Sequence, residues 1–598
     1  MYQSFESQSR PEQGPPRLKA LRAAMAEAEV TGFLVPRADM FQGEYVAPRD
    51  ERLAWLTGFT GSAGFAAVLP DQAGLFVDGR YTLQAGDQVD TSVFTIVPWP
   101  KTKLSAWLGQ ALPEGGTIGY DPWLHTVKEI EALEQHGADH GLTYRALPNL
   151  IDTIWPDQPG APAAPLRIHP EALAGRSHGE KRKAIAADLA TAKAPAAVLT
   201  MPDSIAWLLN IRGADIRCNP VAHACALLHD TGAVDLFTDP AKITAPLRAH
   251  LGPDVTTHPL TAFADRLGTV AGPVRIDPAS CPIAVKRALP DTVAAEDPCA
   301  LPKARKTPAE IAGMEAAHLR DATALCRFLA WFDSEAPNGA LTEIDVVRRL
   351  EEERRRSPDL IEISFDTICG AGPHGAIVHY RVTEETNARI TPGDLVLIDS
   401  GGQYTDGTTD ITRTLATGPV TSEQTAAFTR VLKGMIAVSR ARWPEGLAGR
   451  DLDALARRAL WAAGQDYDHG TGHGVGAALC VHEGPQRLSR ASPVPLDAGM
   501  ILSNEPGYYR PGAWGIRIEN LVHVIPAPPL DTADPDRPMR AFATLTWVPI
   551  DRRLIDLTRL DVTERAWLDT YHREVAARVG PTLEGAAAAW LDAATAPL

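Results

Sequence analysis

The sequence contains little cysteine and no sign of a disulfide framework. Its seven cysteines are scattered over 598 residues without a C-x-x-C pair, and an odd number cannot all pair within one chain. The first residues, MYQSFESQSRPEQGPPR, lack the apolar stretch of a secretory signal and carry acidic residues that are unusual in transit peptides. These features favour a reducing compartment, so we expect a cytoplasmic protein.

Long apolar runs and an excess of basic residues are also missing. No run reaches the ~18 apolar residues that a membrane-spanning helix needs. The formal net charge of −16 disfavours broad contact with nucleic acid or anionic membranes, because such contacts need clustered Lys and Arg. What is present, 45% hydrophobic and 22% charged residues, is typical of a folded globular protein. We expect neither a nucleic-acid nor a membrane partner.

The patterns along the chain indicate several domains, since strand-like and helical stretches alternate and then restart after a proline-rich segment. Near the start of the last domain, Thr307, Pro308 and Glu310 form a capping box with proline at the first helical position, which predicts a helix. The predicted organisation is a polar tail over 1–16, an α/β domain over 17–155, a linker over 156–166, a second α/β domain over 167–302 and a third domain over 303–598.

Asp399 is an anomaly because it ends the apolar run 395–398, where a buried carboxylate would be costly without a partner. The β-branched residues around Asp410 predict a second strand, and glycines at 401–402 and 407 supply a turn. If the strands pair, both carboxylates point into one space, where two charges about 4 Å apart repel by ~4 kcal/mol at an effective dielectric of 20. A positive group should then lie between them. Alternatively, Asp399 caps a turn and Asp410 is solvated.

Histidines and further carboxylates follow in two short segments. Glycines in DHGTGHGVGAALCVHEGP (468–485) disfavour a helix, and in an extended chain His469 and His473 share a face. Each histidine could instead be a satisfied structural residue. Glu505 precedes a proline, and alternation over 516–519 puts Glu519 on the face of Arg517, for which a same-face ion pair is the simplest interpretation.

Together these residues have the chemistry of a metal site. Two divalent cations would offset the four negative charges of Asp399, Asp410, Glu505 and Glu519, which otherwise would have to take up protons. A mostly oxygen donor set with one imidazole favours Mn²⁺, with Zn²⁺ or Co²⁺ as alternatives.

The order and spacing of these residues resemble a known ligand set, that of the pita-bread metallopeptidases. Within that group, IDSGGQYTDGTTDITRT, HGTGHGVG, VHEGP, SNEPGYY and GIRIEN resemble aminopeptidase P, the X-prolyl aminopeptidases. TGFTGSAG (57–64), WLLNIRGADI (207–216) and KARKTPAEI (303–311) are similar to its three-domain form. The resemblance implies two creatinase N-terminal-like α/β domains followed by a pita-bread α+β catalytic domain. Cys480 departs from the family pattern, where asparagine is usual.

The resemblance also implies an activity, the hydrolysis of the N-terminal X-Pro bond of peptides by a hydroxide that bridges two divalent metal ions. Asp399 would bind one ion, His473 and Glu505 the other, and Asp410 and Glu519 both. Glu505 would also act as general base and acid.

Further roles implied by the resemblance concern the substrate. His379 and His482 would bind its carbonyl and stabilise the oxyanion, and His469 would form part of the wall for the proline. Arg517 would orient the carboxylates, with Tyr509 supporting the site behind them. Arg80 would help at the entrance, unless it only forms a salt bridge. A homodimer is the family-based expectation.

Three alternatives remain at this point. A prolidase shares all five ligands but cleaves only X-Pro dipeptides, and the length of the chain favours the aminopeptidase. A creatinase-like hydrolase keeps the fold without the metal pair, and a non-catalytic member would be a binding module. Retention of every ligand favours the metalloenzyme over both.

Overall fold

The computed structural model describes all residues from Met1 to Leu598, and these separate into two units. One unit contains residues 8–171 and 176–300, and the other contains residues 1–7, 172–175 and 301–598. The first sixteen residues, treated as one tail in the sequence analysis, are therefore divided between the units. Residues 156–166 contain no helix or strand.

The unit of residues 8–171 and 176–300 contains two six-stranded sheets with the same topology. In spatial order, the first sheet consists of Thr95–Pro98, Ala73–Val77, Phe65–Val68, Gly32–Pro36, Gly116–Tyr120 and Leu142–Ala146. The second consists of Val255–His258, Val234–Phe237, Cys225–His229, Ala196–Leu199, Val274–Ile276 and Thr292–Ala294. In both, the pairings across the sheet run parallel, antiparallel, antiparallel, parallel and parallel.

Helices accompany both sheets, and one buried apolar cluster includes residues of both, among them Phe76 and Phe237. The helices of the first sheet's domain are Gly14–Glu27, Arg52–Thr57, Thr82–Gln88, Leu104–Ala111, Val127–Gly137 and Leu150–Ile154. Those of the second are His178–Thr191, Pro202–Leu209, Ala245–Leu251, Phe263–Leu267 and Ile283–Ala288. A small two-stranded ladder pairs Arg167–Ile168 with Ile211–Arg212.

The other unit is an α+β fold whose strand pairings are antiparallel. Its six-stranded sheet consists, in spatial order, of Arg442–Pro444, Met539–Thr544, Asn520–Pro526, Ile501–Asn504, Gly472–Gly474 and Glu483–Leu488. Smaller sheets join Ile368–Ala371 with Leu395–Ser400 and Ile411–Ala416, Leu360–Ile363 with Gly402–Tyr404, and Gly507–Arg510 with Trp514–Arg517. Its main helices are Pro308–Glu335, Glu343–Arg354, Ser422–Ser439, Gly449–Trp461, Val562–Val579 and Gly585–Ala594.

The helix Pro308–Glu335 begins as predicted, because the Thr307 side chain accepts from the Glu310 backbone N–H and the Glu310 side chain reaches back to cap Thr307. No helix in the structure combines the length and the apolar character needed to cross a membrane.

The N-terminal residues pack into the unit of residues 301–598. Phe5 belongs to its apolar core, and the backbone N–H of Tyr2 donates to Glu351 at 2.7 Å. The Gln3 side chain pairs with both backbone groups of Thr367. The polar composition of this segment predicted a tail and gave no sign of this packing. One buried aromatic side chain and a few hydrogen bonds are enough to order so short a segment.

Two register relationships position the acidic residues of this unit. Asp399 lies opposite Thr412 in the antiparallel pair formed by Leu395–Ser400 and Ile411–Ala416, so the predicted pairing of these strands is confirmed. Asn504 lies opposite Asn520 in a second pair. Since Glu505 follows Asn504 and Glu519 precedes Asn520, both glutamates lie at the same end of that pair.

Candidate active site

Three of the predicted ligands converge directly. Asp410, His473 and Glu519 each contribute one donor atom, and these atoms lie within 4.8 Å of one another. Asp410 immediately precedes the strand Ile411–Ala416, His473 is the middle residue of Gly472–Gly474, and both Asp410 and Glu519 are buried. The fold therefore brings together two carboxylates and an imidazole from three segments that are distant in sequence.

His473 presents Nε2 to the carboxylates. Its Nδ1–H donates to the Gly474 carbonyl at 2.9 Å, while Nε2 lies 3.4 Å from Asp410 and 3.5 Å from Glu505. Burial by itself lowers the pKa of His473, but the contacts with Asp410 and Glu505 outweigh it and raise the pKa to about 9. The carboxylates therefore stabilise positive charge at this position.

The pKa values of three carboxylates are raised in the same way. Burial raises the pKa of Asp399, with Arg517 opposing and Asp410 adding to the effect. Burial also raises the pKa of Glu505 to about 7, although the charge of His473 opposes it. Burial and repulsion from Asp410 raise the pKa of Glu519 well above its ordinary value. Without added positive charge, these groups would bind protons.

Two buried carboxylate oxygens show whether this cluster is suited to binding cations. Asp399 Oδ1 and Glu519 Oε1 have no hydrogen-bond partner, although buried polar atoms normally have one. Divalent cations satisfy such oxygens, and the donor set of four carboxylates and one imidazole suits Mn²⁺, Zn²⁺ or Co²⁺. The residues present therefore fit a metal centre.

Arg517 is the cation that the structure provides. Its side chain is 2% exposed, and Nη2 lies 2.6 Å from Asp399 Oδ2. Its Nη1 donates to the Tyr509 hydroxyl at 2.7 Å, and its Nε donates to Thr412 Oγ1 at 3.2 Å. The same-face ion pair of Arg517 with Glu519 does not form, because the strand Trp514–Arg517 ends before Glu519 and the regular alternation of side chains ends with it.

Thr412 is a residue that the sequence analysis missed. Its hydroxyl accepts from Arg517 and donates to Glu519 Oε2 at 2.8 Å, so it connects the cation to a carboxylate. Thr414 also contacts the Arg517 backbone, at 3.0 and 3.1 Å. The signal was available, since Thr412 and Thr414 alternate along the strand that Asp410 immediately precedes, so the spacing of the three residues predicts a shared face.

The remaining predicted residues of this unit lie around the acidic cluster. His482 is exposed, and its ring centroid lies 4.3 Å from that of His473. His469 lies outside the short strand Gly472–Gly474, so the predicted shared face with His473 is wrong, but its Nε2 lies 2.9 Å from the Tyr509 hydroxyl. His379 is partly exposed and follows Val378, whose carbonyl accepts from Arg517 at 3.4 Å.

Arg80 belongs to the other unit. It forms an ion pair with Asp78 at 2.7 Å, which is the alternative that the sequence left open, and a role at an entrance stays a prediction. None of the seven cysteines forms a disulfide, and Cys480 is the only one that is not buried.

Family comparisons agree with this architecture. Residues 17–154 and 157–310 each match the creatinase/prolidase N-terminal domain, residues 312–526 match metallopeptidase family M24, and residues 538–598 match the C-terminal region of that peptidase family. The chain belongs to metallopeptidase family M24, with creatinase N-terminal domains preceding an α+β catalytic domain. The fold class expected from the sequence is therefore confirmed.

Comparison with individual proteins shows which members of family M24 this chain resembles. Aminopeptidase P2 of Arabidopsis thaliana is 39% identical over 97% of this chain and 88% of its own length, and a probable Xaa-Pro aminopeptidase P of Paracoccidioides lutzii is 38% identical over 94% and 95%. The crystal structure of X-prolyl aminopeptidase from Caenorhabditis elegans, described as a cytosolic enzyme with a di-nuclear active site, superposes with a TM-score of 0.94 at 32% identity, covering 98% of this chain and 100% of that one. Within family M24, these nearly full-length matches put the chain in the aminopeptidase P group.

Proposed function

We propose that this enzyme removes the N-terminal residue from peptides that have proline at the second position, using two divalent metal ions. The observation that carries the proposal is the group of buried carboxylates around His473, in which Asp399 and Glu519 each retain an unpartnered oxygen. The ligands would be Asp399, Asp410, His473, Glu505 and Glu519. The relatives' names and the di-nuclear site of the nematode enzyme support this assignment.

When bound, the ions would supply an activated water and polarise the scissile carbonyl. The donor set favours Mn²⁺, with Zn²⁺ and Co²⁺ as alternatives.

Glu505 is suited to move a proton. Its side chain is 17% exposed, whereas Glu519 is 1% exposed, so Glu505 lies where a substrate can reach it. It would take a proton from the attacking water and deliver one to the leaving proline nitrogen. Its orientation is held by the Ser503 hydroxyl, which donates to Oε1 at 3.1 Å.

Two imidazoles would bind the substrate. His482 is exposed and its ring lies 4.3 Å from that of His473, while His379 is partly exposed and follows Val378, whose carbonyl accepts from Arg517. Their N–H groups can hold the carbonyl oxygen as negative charge develops on it. His469 and Tyr509 would form a wall for the proline ring. Because proline lacks an N–H and has a fixed φ, such a wall selects it without a backbone hydrogen bond.

The experiment is release of free arginine from Arg-Pro-Pro by chelated protein, before and after addition of Mn²⁺, Zn²⁺ or Co²⁺. We expect activity only with metal, none on Arg-Ala-Ala, and weak activity on the dipeptide Ala-Pro. A clear preference for Ala-Pro would identify a prolidase instead, and full activity in metal-free protein would favour a creatinase-like reaction. No turnover with any metal would leave a binding role.

The proposal also covers the cellular location and the oligomeric state of the protein. The nematode enzyme is described as cytosolic, and we propose the cytoplasm for this chain as well. A homodimer is expected, and sedimentation velocity of the full chain would measure it.

A further inference from the structure

A second group of potential metal ligands lies in the unit of residues 8–171 and 176–300. Asp39 follows the strand Gly32–Pro36, Asp50 ends the short 3₁₀ helix Pro48–Asp50, and His223 precedes the strand Cys225–His229. All three residues are buried, and one donor atom from each lies within 4.8 Å of the others. The reaction proposed above uses none of them.

The imidazole of His223 is fixed in place, and one of its nitrogens has no hydrogen-bond partner. Its backbone N–H donates to Asp215 at 2.7 Å, and its carbonyl accepts from Thr238 at 2.8 Å. Its ring stacks on Phe41 with centroids 4.2 Å apart. Although the side chain is only 8% exposed, Nε2 has no hydrogen-bond partner. A buried ring nitrogen without a partner is costly unless something binds to it.

Nε2 lies close to a carboxylate oxygen. It lies 3.4 Å from Asp39 Oδ2, whose companion oxygen Oδ1 is occupied by the Phe41 backbone N–H at 2.9 Å. Two ligands bound at about 2.1 Å to a tetrahedral ion lie about 3.4 Å apart. The observed separation therefore matches an edge of such a coordination shell.

The local charge is out of balance. Arg52 donates to both Asp50 and Asp152, at 2.9 and 2.7 Å, so a single cation serves two carboxylates. Asp39 adds a third carboxylate, and the nearby Asp215 is already paired with Lys242. Asp152 is exposed, so the buried groups Asp39, Asp50 and Arg52 carry a net charge of −1. Buried charge of this kind needs compensation.

We propose that Asp39, Asp50 and His223 bind one divalent transition-metal ion at a site separate from the active centre. Two carboxylate oxygens and one imidazole nitrogen suit Zn²⁺, Mn²⁺ or Co²⁺, and the ion supplies positive charge between the buried carboxylates. Because Asp39 and Asp50 come from the domain of the first sheet and His223 from that of the second, the ion ties the two domains together and stabilises this unit.

The test measures bound metal in the full chain carrying Asp410→Asn and Glu519→Gln, which weaken the active centre. After chelation, loading with Zn²⁺ and desalting, metal is measured by inductively coupled plasma mass spectrometry. Adding His223→Gln is expected to lower the content by about one ion per chain, and Asp39→Asn to do the same. The control is His169→Gln, because His169 is a buried histidine of the same unit outside the cluster.

A content that His223→Gln and Asp39→Asn leave unchanged would overturn the proposal. Should these variants misfold, anomalous diffraction from Zn²⁺-soaked crystals of the unaltered chain decides the question. A peak between Asp39, Asp50 and His223 is expected, and its absence beside occupied active-centre sites would contradict the site. Zn²⁺ should also raise the melting temperature of the protein that carries Asp410→Asn and Glu519→Gln. It should not raise the melting temperature of the same protein when His223→Gln is added.

Discussion

Arg517 donates to Asp399 at 2.6 Å, not to Glu519 two residues further along the chain. This pairing occupies Oδ2 of Asp399 and leaves Oδ1 buried without a partner. Asp399 therefore offers one oxygen to a neighbouring cation while its orientation is fixed by the guanidinium. In metal sites, a ligand is commonly oriented by a hydrogen bond from a neighbouring residue, and Arg517 has this position relative to Asp399.

Asp399→Asn should lower kcat on Arg-Pro-Pro at least about 100-fold, because even changes behind a metal ligand cost 10–100-fold. Asparagine has similar volume, so far-UV circular dichroism should stay unchanged. Bound metal should fall together with activity. The matched control is Asp497→Asn, since Asp497 forms an exposed pair with Arg305 in the same unit. A fully active Asp399→Asn enzyme would refute the role of Asp399 as a ligand.

His469 and Arg517 are joined through the Tyr509 hydroxyl, at 2.9 and 2.7 Å. Tyr509→Phe removes both contacts, so its effect on kcat/KM should not add to that of His469→Ala. A double-mutant cycle should give a coupling of about 0.5–3 kcal/mol. Tyr508→Phe, on the same strand Gly507–Arg510, is the control. Strictly additive effects would show that His469 acts independently of Tyr509.

Glu483 is a buried carboxylate between two buried lysines. Its Oε2 lies 3.1 Å from Lys303, and its Oε1 pairs with Lys306. Glu483→Gln leaves the lysine charges without compensation and should cost about 3–5 kcal/mol, seen as a lower thermal unfolding midpoint. Glu131→Gln breaks an exposed pair with Lys286 and should cost less than about 1 kcal/mol. Equal shifts in the two variants would contradict this explanation.

His572 should make stability fall in acid. The Ile550 backbone N–H donates to His572 Nε2 at 3.1 Å, and burial, reinforced by Arg413, lowers the pKa of His572 to about 4. The unfolded chain takes up this proton near pH 6.5, so the contribution is complete above that pH. Between pH 6.5 and 4 the unfolded state binds more protons, and stability declines as pH falls, by up to about 3 kcal/mol for this group.

His572→Gln keeps an acceptor for Ile550 but does not titrate. The difference in unfolding free energy between the original chain and this variant should therefore shrink as pH falls from 6.5 to 4, measured by urea denaturation at each pH. His140→Gln, at an exposed position, should leave the pH dependence as it was. A constant difference between the original chain and His572→Gln across this range would show that His572 is not responsible.

Local sequence determined a large part of this protein. The capping box at Thr307 depends on residues three apart, and the pairing of the strands around Asp399 and Asp410 depends on an apolar run, a β-branched run and the turn between them. Both are found in the structure. The donor types of the candidate metal centre could also be read from short motifs, because their chemistry is a property of the residues themselves.

Tertiary structure alone decided which groups meet. Alternation predicted a pair of Arg517 with Glu519, but the strand ends at Arg517, whose side chain instead contacts Asp399 and Thr412. Phe5, in a segment of polar composition, lies in an apolar core, and Asp39 reaches His223 from another domain. Such contacts depend on register and packing between segments far apart in the chain, and no local pattern of residues encodes them.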